Sequence, residues 1–516
     1  MASRKYEIVS LRGSKESALG MVRQPEAVFR SKGAVKYTCP CLVWIEKESI
    51  VNKNLKFAIF FVAWAILIVG CESQSQQSKT FLVSSNYSFS SDNAIKYDDT
   101  ASLPKLNEQS KLSDYLTYAA LNNPGLQAAF NRWKAALERV PQARSLPDPK
   151  FTYRYFIEQV ETRVGAQKQA FGIAQMFPWF GKLELRGDAA TDAAHATRQR
   201  YEATKLKLFF QVKDAYYEYY YLWRAITIVE ENIQLVKNFE SVARTRYKAA
   251  IGRHPDVIRA QVELGKLEDR LKTLQDLRGP IVAKLNAALN RPAEALLPWP
   301  KQIEEESISF TDQQLLKWMA NSNPELRALE FEIAKSRTKI DLAKKDYYPD
   351  IKLGIDFIDT DDAIGAMSPS DSGKDPVIAM FSINLPIWRE KLDAALREAR
   401  YNYRTVVRGK TQKLNILNAQ LKLALYLFRD GERKIDLYRD TLLPKAIESV
   451  KANEASFRAG GSTFLDLIDA QRVMLEFELA YERALSNRAQ KLAELEMLVG
   501  REIPRTGNFK PSEPVM

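Results

Sequence analysis

The chain is written twice. ALNNPGLQAA (120–129) resembles ANSNPELRAL (320–329), each placing Asn-Pro at a helix start. PDPKFTYRYF (147–156) parallels YPDIKLGIDF (348–357), and Met176-Phe177-Pro178-Trp179 parallels Asn384-Leu385-Pro386-Ile387. YKAAIGRHPDVIRAQ (247–261) matches FRAGGSTFLDLIDAQ (457–471), and LNRP (289–292) and VGREIP (499–504) close the two halves. Five matches in one order, about 200–210 residues apart, make the body two copies of one unit.

Each copy has the same grammar. A helix of about 20 residues (124–145, 324–345) leads into a short strand, a loop and a second strand. Ile351–Phe357 and Phe381–Leu385 alternate apolar and polar, as a sheet with two different faces demands, and Phe151–Tyr155 has an aromatic face. The loops are polar: 158–167 reads as short, 359–376 as long and acidic. Very long helices follow over roughly 184–250 and 390–459, each ~100 Å at 1.5 Å per residue, the second kinked at Pro444. After glycine-containing breaks, 255–290 and 464–499 return antiparallel, with a coiled-coil-like stripe through Phe464, Leu467, Ile468, Met474, Phe477 and Tyr481. The aromatics of 216–223 read as interhelix packing. The fold class is mainly α with a small β part.

Four strands per chain pose a physical problem. An open sheet with an apolar outer face leaves edges that a bilayer cannot satisfy, and a transmembrane barrel takes at least about eight strands. If these strands span a membrane, several chains must pool them.

The N-terminus reads as an address. Lys53 and Lys56 precede an apolar run from Phe57 to Val69, and Ile68-Val69-Gly70-Cys71 resembles a bacterial lipobox. We expect 51–70 to be a lipoprotein signal peptide, Cys71 to carry lipid, and Val51 to be the true start, so that 1–50 is a misannotated leader. An uncleaved anchor helix is the other reading of the apolar run. Residues 71–111, rich in Ser, Asn, Gln and Asp, form a linker. The repeats then occupy 112–300 and 301–503, with a tail at 504–516.

Composition removes other classes. With 46% hydrophobic residues and a mean hydropathy of -0.33, a multi-helix membrane protein is disfavoured. The net charge of +12 comes from Lys and Arg interspersed with Asp and Glu, which suits solvated helix faces and argues against nucleic acid. Three cysteines, none beyond Cys71, and two histidines leave no catalytic constellation, cofactor motif or metal site in the body.

The order lipobox, Asn-Pro helix, hairpin, Pro-Trp-Phe-Gly-Lys (178–182), long helix, Gly break and Asp-x-x-x-Ala-Gln, given twice, resembles the TolC family of outer-membrane efflux channels. FPWFGK looks most like members paired with resistance-nodulation-division (RND) pumps, including the heavy-metal cation branch. The resemblance implies a homotrimer anchored in outer-membrane lipid. Twelve strands would form one outer-membrane β-barrel, and the long helices an α-barrel tunnel across the periplasm. An equatorial belt would lie near 290–323 and the termini. It also implies a periplasmic adaptor and an inner-membrane RND-type pump as partners, and a passive conduit, not an enzyme, carrying small molecules or metal cations.

In that family the helix breaks lie at the periplasmic tip, where they meet the adaptor and inward carboxylates line the entrance. Carried over, Gly252, Gly460, Gly461, Ser462 and Thr463 are tip and adaptor-contact positions, and Asp466, Asp469 and Asp256 are entrance acids. Arg259 stands where Asp469 stands in the second copy, and Ser462 where some members carry a gating arginine. The residues themselves also support a plainer reading. Gly460 and Gly461 suit a left-handed helix end, and Thr463 with Asp466 fits a capping box, leaving Asp469 the stronger pore candidate. A lipid-anchored coiled-coil scaffold without a pore would explain the helices but not the duplicated hairpins. A periplasmic hydrolase would lack its histidines.

Overall fold

The computed structural model describes residues 104–300, 303, 308–365 and 369–505. Cys71, the leader, the signal segment and most of the linker and tail lie outside them.

Both repeats fold to one plan. The first gives α1 (Leu112–Asn122), α2 (Pro124–Arg144), β1 (Lys150–Thr162), β2 (Gly165–Phe177), α3 (Lys182–Lys248) and α4 (His254–Leu289). The second gives α5 (Asp312–Ser322), α6 (Pro324–Lys345), β3 (Ile351–Thr360), β4 (Val377–Ile383), α7 (Arg389–Leu437), α8 (Leu443–Ala459) and α9 (Phe464–Val499). The Asn-Pro starts work identically. Asn123 Oδ1 accepts from the Leu126 amide and Asn323 Oδ1 from those of Glu325 and Leu326, caps worth about 1 kcal/mol each. Their amide groups then staple the last turn of the returning helix, Asn123 to Ala288 O and Asn323 to Leu498 O. Those helices end alike, in left-handed residues Asn290 and Gly500.

Two differences from the expected elements have clear causes. The loop at 158–167 shrinks to the turn Arg163-Val164, because Val160, Glu161 and Thr162 go on pairing with Gln167, Ala166 and Gly165 past an irregularity. Backbone pairing is indifferent to side-chain polarity, so the polar composition hid the strand ends. Near Pro444, the disruption takes the form of one π-helical turn, Tyr438–Leu442, that ends one residue short of the proline. Proline has no N–H to donate, and the wider turn absorbs the mismatch.

Among the described residues the core runs along the helices in three large segments and two small ones. Tyr115, Leu126, Tyr216 and Leu285 centre the first repeat's midsection, and Leu315, Leu326, Phe428 and Leu495 that of the second. A third segment spans both repeats toward the breaks, through Val236, Phe239, Phe464 and Leu467. Lys213–Glu496, Arg224–Glu482 and Arg483–Glu218, each 2.7 Å, tie α3 to α9 across the repeat boundary.

The strands form one antiparallel sheet in the order β1-β2-β3-β4. Residues directly opposite share a face, so the register sorts the side chains. Tyr153, Phe171, Phe357 and Val377 align on one face, as do Phe151, Ile173, Ile355 and Ala379. The other face carries Lys150, Ala174, Gly354 and Met380, and beside them Thr152, Gly172, Asp356 and Ile378.

Candidate functional site

The apolar face of the sheet is not covered by any described part of the chain. Phe151 is 69% exposed, Tyr155 65%, and Tyr153, Ile355 and Phe381 are exposed with them. A contiguous patch of this kind marks an interface with another apolar phase or partner. The opposite face mixes small and polar residues, among them Thr152, Arg154, Gly172 and Asp356, with Met176, Ile358, Ile378 and Met380. Arg154 reaches across to Asp356 at 2.7 Å, directly over Gly172, where a Cβ would collide with the Asp356 carboxylate. The outer edges of β1 and β4 have no strand partner among the described residues.

Where the strands meet the long helices, the PWFGK segment forms a lock between the repeats. The Lys182 side chain is 3% exposed, and its ammonium donates to Asp350 at 2.9 Å and lies 3.4 Å from Asp346. The Trp179 amide donates to Asp350 at 2.8 Å, and the Trp179 ring stacks on Tyr348 at 5.4 Å. Gly181 is left-handed, with φ 81°, which lets the chain turn from strand into α3. The motif thus has a packing role in this chain, one that sequence inspection missed because Asp350 lies 168 residues away.

At the far end of the helices, the two breaks form a pair of hairpin tips. In the second tip Gly460 is left-handed (φ 85°), and the amides of Gly460 and Gly461 return to Phe457 O and Ser456 O. Thr463 and Asp466 close the expected capping box: Asp466 Oδ2 accepts from the Thr463 amide and hydroxyl, at 2.9 and 2.7 Å, and the Asp466 amide donates back at 3.3 Å. The Thr463 hydroxyl, and then its amide, hold the Asp466 carboxyl below the usual carboxylate range. Ser462 Oγ donates to Asn453 O across the turn at 3.2 Å.

Asp469 stands one turn on, with its side chain 59% exposed, and Arg472 bridges to it at 3.3 Å. Arg472 also bonds Glu263 of α4 at 2.5 Å, so Asp469 is partly neutralised by a cation shared with the other hairpin.

The first tip departs from its copy. The left-handed residue equivalent to Gly460 is Ala250 (φ 59°), not Gly252. Gly252 is needed for space instead: a Cβ there would lie 2.8 Å from Arg246 Cβ and 2.9 Å from the backbone of Arg246 and Tyr247. Asp256 is only 5% exposed and faces Arg253 and Arg259 of its own helix start, at 3.4 and 3.7 Å. Asp256 is thus far less accessible than Asp469, whose side chain is 59% exposed.

Arg246, which no sequence signal singled out, joins the tips. Its Nη1 donates to Phe457 O at 2.7 Å and Arg458 O at 2.8 Å, and its guanidinium lies 5.0 Å from the Phe457 ring centre. It caps the C-terminal carbonyls of α8 from outside that helix. Beside this joint, Ile258, Arg259, Val262, Leu465, Ile468 and Arg472 line an open groove of about 220 Å³ between α4 and α9.

Among the described residues no helix is long and apolar enough to cross a membrane, and no group of His, Cys, Asp and Glu is placed to hold a metal. The chain matches the family described as Outer membrane efflux protein over residues 116–291 and 315–501, taking in both repeats. The chain belongs to that family. As an outer-membrane efflux protein it is similar to Nodulation protein T of Rhizobium leguminosarum, 21% identical over 422 residues, covering 75% of this chain and 85% of the relative. It is likewise similar to the cobalt-zinc-cadmium resistance protein CzcC of Cupriavidus metallidurans, 22% identical over 402 residues, covering 75% and 89%. The solved structure of CusC, a transmembrane channel, superposes with a TM-score of 0.66 at 15% identity, covering 76% of this chain and 92% of that one. That likeness carries the fold: long helices continuous with a small sheet.

Proposed function

We propose that three copies close into one outer-membrane channel that works as the exit duct of a tripartite efflux pump. The observation that carries this reading is the four-stranded sheet, with one apolar exposed face, a second face of mixed character that holds the Arg154–Asp356 pair, and two open edges. A single sheet of this size cannot sit in a bilayer with its edges unpaired. Pooling three gives twelve strands, within the range of closed barrels. The apolar face then meets lipid, and Arg154, Asp356 and their neighbours line the lumen.

The helical pairs extend from that barrel toward the periplasm, with Cys71 anchoring the chain in lipid. The tips meet an adaptor, whose apolar side chains enter the groove between α4 and α9. Asp466 and Asp469 are the entrance acids. Asp469 is the more consequential, because Asp466 is engaged in capping Thr463. A threefold ring of Asp469 attracts cations on their way in, tempered by Arg472. Energy comes from an inner-membrane pump of the RND type. The cargo is a small molecule or a metal cation: one relative's name speaks of nodulation and the other's of cobalt, zinc and cadmium.

Reconstitution in planar bilayers tests the reading. Purified oligomer is expected to give discrete conductance steps, with multivalent-cation block from the periplasmic side that Asp469→Ala weakens. Protein that inserts but never conducts would overturn the channel. Block that is untouched by Asp469→Ala would remove the entrance role.

A further inference from the structure

Two levels of the duct carry opposite charge, and they are unequal in strength. The first strand of each repeat begins on one pattern, Pro147-Asp148-x-Lys150 and Pro349-Asp350-x-Lys352. The strand register upholds the match. Lys150 lies opposite Ala174 of β2, and Lys352 opposite Ser382, the residue of β4 that corresponds to Ala174. Both lysines fall on the face that holds the Arg154–Asp356 pair, because alternate residues of a strand share a face. Once three copies close, that face lines the lumen. Equivalent positions of a duplicated unit then sit at one level. Two lysines from each of three copies ring the end of the barrel that the helices feed.

The charge at this level is uncompensated. Among the described residues neither lysine has a carboxylate within salt-bridge distance. Lys150 is exposed and Lys352 half-buried. Further along the same face the equivalent residues are Arg154 and Asp356, which neutralise each other at 2.7 Å. On the helix side, Asp350 is engaged by Lys182 and by the Trp179 amide. Asp148 alone stays exposed there, one acid per copy against two lysines. At the tips the proposed entrance acids are weaker, since Asp466 caps Thr463 and Asp469 shares Arg472. Of these levels, the lysine one carries the largest net charge, and its sign is positive.

We infer that Lys150 and Lys352 form a ring of positive charge inside the barrel, and that the cargo this duct favours is a small organic anion, not a free metal cation. This rests on the closed-ring reading and names the substrate class that reading leaves open. Rings of charged side chains select ions by sign at close quarters. The lysine ring concentrates anions and repels cations. Its reach is greatest in dilute salt, where the Debye length is ~10 Å at 0.1 M against ~3 Å at 1 M.

Full-length protein in planar bilayers under a potassium chloride gradient tests the ring. The parent is expected to pass chloride in preference to potassium. Lys150→Gln with Lys352→Gln should lower the chloride-to-potassium permeability ratio about fivefold at 0.1 M salt, taking the charges to lie about one Debye length from the axis. Lys150→Arg with Lys352→Arg should keep the parent's ratio. Singly, Lys150→Gln and Lys352→Gln are expected to shift the ratio equally, so each carries the test where the pair does not assemble. Inorganic pyrophosphate on the extracellular side should block the parent and lose that block in the double Gln variant. Conducting Gln variants that keep the parent's ratio and block would overturn the ring, as would a shift from one lysine and none from the other. A parent that favours potassium would overturn the cargo class. Parent protein that inserts without conducting defeats the channel reading itself, a different result from a conducting channel indifferent to its lysines.

Discussion

The two hairpin tips descend from one pattern but are held by different means. The second is capped from within, by Gly460 in the left-handed conformation and by the reciprocal bonds of Thr463 and Asp466. The first lacks both devices: Ala250 takes the left-handed position, and Arg253 at the helix start offers no side-chain cap. What it has instead is Arg246, which turns outward to bind the carbonyl end of the second tip. The self-sufficient tip carries the two proposed entrance acids, while its partner buries its own acid, Asp256, and braces it. Duplication followed by divergence has given one tip its own cap and the other an arginine that reaches across to it.

The largest expected effect breaks the support. Gly252→Ala drives a Cβ into Arg246 and the preceding backbone, costing up to about 3 kcal/mol by overpacking. Hydrogen exchange at the amides of 250–256 should rise sharply, while that at 464–470 rises less. Arg246→Ala comes next. It removes two charge-assisted bonds to carbonyls of the second tip, a loss of about 2 kcal/mol, and one longer bond to Ile251 O in its own; exchange should rise most in the second tip, at 459–463, although the mutation sits in the first. Equal exchange there in mutant and parent would show that the tips stand independently.

The comparison also marks what the residues disclose and what they withhold. Repeats, strand faces, helix lengths and the Thr463–Asp466 cap follow from local chemistry, because capping and alternation act over a few residues. The lock of Lys182 on Asp350 and the reach of Arg246 to Phe457 are contacts across well over a hundred residues, and no spacing rule announces them. The burial of Asp256 is hidden for a related reason. Its position in the repeat matches Asp466, but burial is set by how α4 packs, not by alignment. Ala250 was the legible case overlooked, since aligning the copies sets it opposite Gly460.

Thr463→Ala sharpens the comparison by making the second tip resemble the first. Loss of the cap should cost about 1 kcal/mol. The pH dependence has a definite sign. The folded Asp466 carboxyl titrates below its unfolded value, so its contribution is fully present above about pH 4 and fades as pH falls through the lower folded value. Melting of the parent protein should therefore lose this increment in acid, and Thr463→Ala should flatten that limb of the profile.

The smallest effect runs in the stabilising direction. A non-glycine residue in the left-handed region costs about 1–2 kcal/mol, and Ala250 sits there at φ 59° while the structurally equivalent Gly460 does not carry that penalty. Ala250→Gly relieves the strain but also gives the unfolded chain more freedom, which returns part of the gain. The net should be a rise of about 0.5 kcal/mol, visible as slower exchange at 250–253, where Ile251 and Gly252 already bond Arg246 O. If exchange at these amides instead quickens, Ala250 is not strained, and the difference between the tips lies in Arg246 and the cap alone.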